Sequence, residues 1–104
     1  MERKALEEYL AKVHKKGKLV YGIKEVVDEL KGSKAVVTST TLDQKVRQKL
    51  QRDCKKLSIP LIEYNGTSIE MGKAIGKKFR VSVLSIKSTG GYDIKELLNE
   101  EVKS

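Results

Sequence analysis

Residues 35–57, AVVTSTTLDQKVRQKLQRDCKKL, change their hydrophobic period part-way along, and that change decides the fold. Ala35-Val36-Val37-Thr38 is a short, continuous, largely β-branched run, too short for a helix and suited to a strand buried on both faces. Ser39-Thr40-Thr41 is a polar loop. Beyond it Val46, Leu50, Cys54 and Leu57 recur at helical spacing, with Asp43 where a carboxylate favours a helix N-terminus. A strand passing into an amphipathic helix through a short loop is the repeating unit of an α/β domain.

The same alternation extends both ways. Upstream, Leu6, Tyr9, Leu10 and Val13 mark an amphipathic helix that Gly17 ends, and Lys18–Tyr21 follows as a strand. Ile23, Val26, Val27 and Leu30 give a second helix, stopped near Gly32. Downstream, Ile59–Tyr64 reads as a strand with Pro60 at its start, where a missing N–H is tolerated. Asn65-Gly66 is a turn, and Thr67-Ser68-Ile69-Glu70 is a capping box opening a short helix that ends at Gly76. Val81–Ile86 is the fourth strand, and Lys87–Gly91 a flexible loop. A final helix from about Asp93 is expected to bury Ile94, Leu97 and Leu98. About five helices interleaved with four strands imply a three-layer α/β/α sandwich with a mixed four-stranded sheet. Residues 1–104 read as a single domain, with no internal repeat or linker.

Charge bounds the partners. Charged residues are 35% of the chain, against roughly 25% in typical soluble domains. The net charge is +8, and residues 93–104 carry −2 of their own, which leaves +10 for the body. Such an imbalance favours a polyanion partner for the body and keeps the C-terminal segment away from phosphate. The bland alternative is a merely soluble basic surface. A single cysteine, Cys54, excludes an intramolecular disulfide or a Cys-based zinc cluster, and it lies on an apolar helical stripe as a core thiol. Neither a secretory leader nor a membrane-spanning run is present, so a soluble, intracellular protein is expected.

Catalytic chemistry is missing. His14, the lone histidine, reads as a solvated helix residue, and the carboxylates are dispersed among lysines and arginines. No nucleophile–base pair can be assembled, and no Walker-type or GxGxxG loop occurs. An enzyme is not expected, nor a cofactor, a metal or a small-molecule substrate.

Three loops carry binding chemistry instead. At Gly22-Ile23-Lys24-Glu25 a strand meets a helix. The glycine allows close backbone approach, Lys24 can donate to guanine O6 or N7, and Glu25 can accept from a base amino group. The same residues also fit a turn and a solvated first helical turn. The hydroxyls of Thr40 and Thr41 suit phosphate or 2′-OH groups, or equally the capping of the third helix. Lys77-Lys78-Phe79-Arg80-Val81 sets the only phenylalanine among cations. An unpaired base can stack on such a ring while Lys and Arg meet phosphates, although Phe79 also fits the start of the following buried strand.

Three segments have a recognisable pattern: Gly22-Ile23-Lys24, the run from Glu63 through Asn65-Gly66-Thr67 to Gly72, and Gly76-Lys77-Lys78-Phe79-Arg80-Val81. With them in this order, nearly the whole chain resembles the kink-turn-binding superfamily of ribosomal proteins, and most of all its archaeal and eukaryotic large-subunit thirty-e branch. The resemblance implies a non-enzymatic α/β/α sandwich whose one end grips a sharply bent RNA internal loop. Gly22 and Lys24 would then dock beside sheared G·A pairs, and Phe79, Arg80 and Val81 would stack on or flank an extruded base. The bend would open a major groove that is otherwise too narrow to read in A-form RNA. Family members commonly place Asn where this chain has Thr41, and a hydroxyl cannot reproduce the amide's paired donor and acceptor. Glu25 also matches the Asn-Glu pair of box C/D-type relatives, with Lys24 in place of the Asn.

The expectation is therefore a structural component of the large ribosomal subunit, in the cytoplasm, binding a kink-turn of ribosomal RNA. Its RNA-binding residues would be Gly22, Ile23, Lys24, Glu25, Thr40 and Thr41, together with Lys77, Phe79, Arg80 and Val81. Neighbouring ribosomal proteins are its other expected partners, and the free protein is expected to be a monomer. Alternatives are a kink-turn protein of a box C/D guide-RNA or RNase P particle, or a small protein-interaction module.

Overall fold

The computed structural model describes residues 3–95 and Leu97. In chain order the elements are α1 (Arg3–Lys16), β1 (Lys18–Tyr21), α2 (Ile23–Asp28), β2 (Ala35–Thr38), α3 (Gln44–Lys56), β3 (Leu61–Glu63), α4 (Ser68–Ala74) and β4 (Val83–Ser88). The helix expected from about Asp93 falls mostly outside the described residues, as does Leu98 with it.

Local chemistry sets the helix ends. The Asp43 carboxylate accepts from the Lys45 N–H at 2.8 Å and caps α3. At α4 the capping box forms as its spacing predicts. Thr67 Oγ1 accepts from the Glu70 N–H at 3.2 Å, and the Glu70 carboxylate accepts from the Thr67 N–H at 3.0 Å. The Glu70 carboxylate is held below the usual carboxylate range, first by that Thr67 N–H and then by the Arg3 guanidinium. Arg3 also bonds Glu7, whose carboxylate accepts the Tyr64 hydroxyl proton, so one polar cluster ties α1 to α4 and to the residue after β3.

The sheet has the order β1-β4-β2-β3. Its central β4 runs antiparallel to β1 and β2, while β2 and β3 are parallel. Alternation along the strands sends Val37, Ile62, Leu84 and Ile86 to one face, against Leu6, Leu10 and Val13 of α1 and Met71 of α4. Val20, Val36 and Val83 point to the other face, against Val26 of α2 and Leu50 and Cys54 of α3. Both faces are thus covered, which is why β2 reads as an unbroken apolar run. The expected three-layer α/β/α sandwich with a mixed sheet is what the chain forms.

Two strands differ from their sequence reading. β3 is confined to Leu61–Glu63 because Pro60 cannot donate to the ladder; its carbonyl still accepts from the Val36 N–H at 2.9 Å. β4 starts at Val83, since the Val81 N–H is directed to the Ser68 carbonyl at 3.0 Å and not to a neighbouring strand. No helix among the described residues is long and apolar enough to cross a membrane.

One consequence of this topology positions the site. β1, β2 and β3 all end at the same edge of the sheet, and β4 begins there.

Candidate nucleic-acid interface

Four loops meet at that edge. Gly22 follows β1 and donates its N–H to the Val83 carbonyl at 3.1 Å. On the other side of β4, Ser39 directs both its N–H and its hydroxyl to the Ser82 carbonyl, each at 2.9 Å. Thr40 donates its N–H (2.9 Å) and hydroxyl (3.0 Å) to the Gly66 carbonyl. Thr41 Oγ1 accepts from the Ser68 N–H at 3.0 Å. The 22–25, 39–42, 64–68 and 76–82 loops are therefore stitched side by side.

Gly22 has φ 104 and ψ 144, a left-handed conformation that strains any residue with a Cβ. It caps α2 without a side chain and leaves Ile23, Lys24 and Glu25 exposed on the first turn. The Glu25 carboxylate folds back over the Gly22 Cα, where an added Cβ would meet Oε2. Lys24 projects freely beside it.

The 76–82 loop owes its position to Gly72. A Cβ on this α4 residue would overlap the Phe79 carbonyl oxygen, so only glycine lets the loop pass so close to the helix. The Lys77 N–H donates to the Gly72 carbonyl at 2.9 Å and completes the tether. Phe79 is 53% exposed and lies outside β4. It does not begin a buried strand. Its ring rests tilted against Tyr21, centroids 5.7 Å apart, and Lys77 Nζ stands 5.3 Å from the Tyr21 centroid. A groove of about 280 Å³ runs beside Phe79, lined by Ile69, Lys73, Lys77, Lys78 and Arg80. An exposed π-face next to several cations matches the needs of a base and its phosphates.

The structure brings together Gly22, Ile23, Lys24, Glu25, Lys77, Phe79 and Arg80 on this edge. It modifies two readings. Val81 is only 1% exposed and its side chain belongs to the core, so it anchors the loop instead of flanking a base. Thr40 and Thr41 do not cap α3, a task that falls to Asp43; their hydroxyls hold the neighbouring loop.

Three residues escaped the sequence reading. Tyr21, read only as strand, backs Phe79. Ile69 is 45% exposed and lines the groove. Its signal was available, since it lies off the Ser68/Met71/Gly72/Ile75 face that α4 buries. Arg47 spans the ends of β2 and β3, donating to Thr38 Oγ1 (3.1 Å) and the Ser39 carbonyl (2.6 Å) and pairing with Glu63 at 3.2 Å. Nothing in its helical position announces that role.

Comparison with known proteins agrees with this architecture. The large ribosomal subunit protein eL30 of Saccharolobus solfataricus is 31% identical over 98 residues, covering 92% of this chain and 91% of that one. The eL30 of Sulfolobus acidocaldarius is 35% identical over 86 residues, covering 81% and 83% respectively. Among solved structures, a protein of unknown function from Bacillus halodurans C matches with a TM-score of 0.75 and 25% identity, covering 99% of this chain and 100% of that one. The relatives' names are those of ribosomal structural proteins, not enzymes. Residues 4–96 match the ribosomal protein L7Ae/L30e/S12e/Gadd45 family, and the chain belongs to that family.

Proposed function

We propose that this protein is a structural component of the large ribosomal subunit, working in the cytoplasm, and that its loop edge holds a kink-turn of ribosomal RNA. The observation that carries the reading is Phe79. A half-exposed ring beside a lysine-lined groove, on the same edge as the Gly22 junction, is an arrangement that an unpaired base and its backbone would fill. Kinship with eL30 proteins over most of the chain supports the ribosome as the setting.

Two contributions divide the work. Lys73, Lys77, Lys78 and Arg80 supply salt-dependent attraction to phosphate. Gly22, Lys24 and Phe79 supply shape and base discrimination. Other ribosomal proteins are the partners in the assembled particle, and the free protein is a monomer in this reading.

The test is a salt-titrated binding assay with a kink-turn RNA and a straight duplex of equal length and charge. The kink-turn should be preferred, and Phe79→Ala should weaken its binding by about 1–3 kcal/mol, the usual worth of one stacked base. Lys24→Ala should narrow the preference. Equal binding of both RNAs by the wild type, with no effect of either substitution, would refute the reading.

A further inference from the structure

The edge opposite the loops is cationic as well. There β1, β2 and β3 begin and β4 ends, and connectivity brings α1, α2 and α3 back to it with their C-terminal turns. Lys15 and Lys16 close α1, and Lys55 and Lys56 close α3. Lysines in a last turn offset the negative end of the helix dipole, so these four have a local explanation. Lys18, Lys31 and Lys34 do not. Lys18 starts β1, Lys34 precedes β2, and these strands flank the end of β4. Lys31 lies beyond α2.

All seven side chains are exposed. None pairs with a carboxylate among the described residues, where the ion pairs use Arg3, Arg47 and Lys49 instead.

The platform beneath them is tightly knit. A Cβ on Gly17 would overlap the Ser88 carbonyl, and one on Gly90 would overlap the Lys16–Gly17 peptide. Lys87, by contrast, is spent on structure, donating to the carbonyls of Glu29 and Lys31 beyond α2. The Lys34 N–H donates to the Ile86 carbonyl at 2.7 Å.

The two edges differ in chemistry. Ile23, Ile69 and Phe79, three of the four exposed large apolar side chains among the described residues, lie at the loop edge. Among the described residues, Leu57 is the exposed large apolar side chain near the lysines of the opposite edge, where Asp28 and Asp53 also lie. With the Tyr92 ring beyond β4 half-buried under Lys12 Nζ, 5.7 Å from its centroid, this edge suits phosphates more than bases.

We propose that this lysine edge is a second RNA-binding surface, taking the backbone of a duplex segment other than the one held at the loops. The protein would then bridge two RNA segments across a body 29 × 28 × 26 Å in extent. The duplex contact at the lysine edge stands on charge placement alone, while the bridging rests on the kink-turn reading of the loop edge.

The test compares three folded proteins: wild type, an edge variant (Lys15→Gln, Lys18→Gln, Lys34→Gln, Lys56→Gln) and a loop variant (Lys24→Ala, Phe79→Ala, Arg80→Ala). Each is titrated with a straight RNA duplex at several salt concentrations. The substituted lysines are exposed, and thermal melting checks that the fold survives. Neutralising four phosphate contacts should flatten the slope of log affinity against log salt by roughly 3–4 units and weaken duplex binding on the order of 10–100-fold. The loop variant should keep its duplex affinity within about 2-fold. Wild type loaded with kink-turn RNA should still capture the duplex. Unchanged duplex binding by the edge variant would overturn the proposal, as would loss confined to the loop variant. Capture of an acidic peptide but no duplex would assign the edge to a protein partner and overturn it too.

Discussion

Gly72 shows how much one missing methyl group can control. Within a helix, Gly→Ala ordinarily stabilises by about 1 kcal/mol. Here the added Cβ would overlap the Phe79 carbonyl, a backbone atom that cannot swing aside. Overpacking of this kind costs about 1–3 kcal/mol, so the net effect should be destabilising. Gly72→Ala is expected to lower the urea midpoint and, by displacing the loop, to weaken RNA binding. A variant more stable than wild type with full RNA affinity would show that the close approach is unimportant. Phe79 itself was recognisable as unusual because it is the only phenylalanine and sits among cations. Its support from Tyr21 was not, since a strand residue and a loop residue 58 positions apart share no local pattern.

Among elements, hydrogen bonds that look alike differ in weight. Asp43 caps α3 from an exposed position, where removal of a cap usually costs about 1 kcal/mol. Thr41 accepts from the N–H of Ser68, a buried residue at the start of α4. Leaving a buried donor unpaired costs about 1–3 kcal/mol, so Thr41→Val should destabilise at least as much as Asp43→Ala in urea unfolding. The reverse order would mean that the stitching between loops contributes little. The bounds of β1 and β2, the capping box and the sandwich itself were legible because they follow from local spacing and alternation. The start of β4 was not. Val81 is buried like a strand residue, but its N–H goes to Ser68, and periodicity reports burial, not pairing. The work of Arg47 and of the two threonine hydroxyls was hidden for the same reason, being defined by tertiary partners.

At the scale of the whole molecule, two buried protons connect stability to pH. Burial, with the Asp53 charge adding to it, pushes the Cys54 thiol up to about 11 from 9.0. Burial, and then the bond to Glu7, pushes the Tyr64 hydroxyl up to about 12 from 10.0. Above pH 9 the unfolded chain loses these protons before the folded one does, so the folded state binds more and stability falls as pH rises. The Cys54 contribution is fully present below about pH 9 and disappears towards 11. The informative quantity is the difference between wild type and Cys54→Ala. That difference should shrink from pH 8 to pH 11, and a constant difference would show the thiol is not responsible.

The strand order β1-β4-β2-β3 places the last strand among the described residues inside the sheet, between β1 and β2. As the polypeptide is synthesised, β1 and β2 emerge early yet have no common neighbour until residues 83–88 arrive. Their assembly is an all-or-none event late in translation, and it closes contacts between residues far apart in sequence. The loop edge is tied together through Ser82 and Val83. A nascent chain stalled before these residues therefore has the cations of this edge but not the edge itself, and the RNA contact proposed for it waits for the sheet to close.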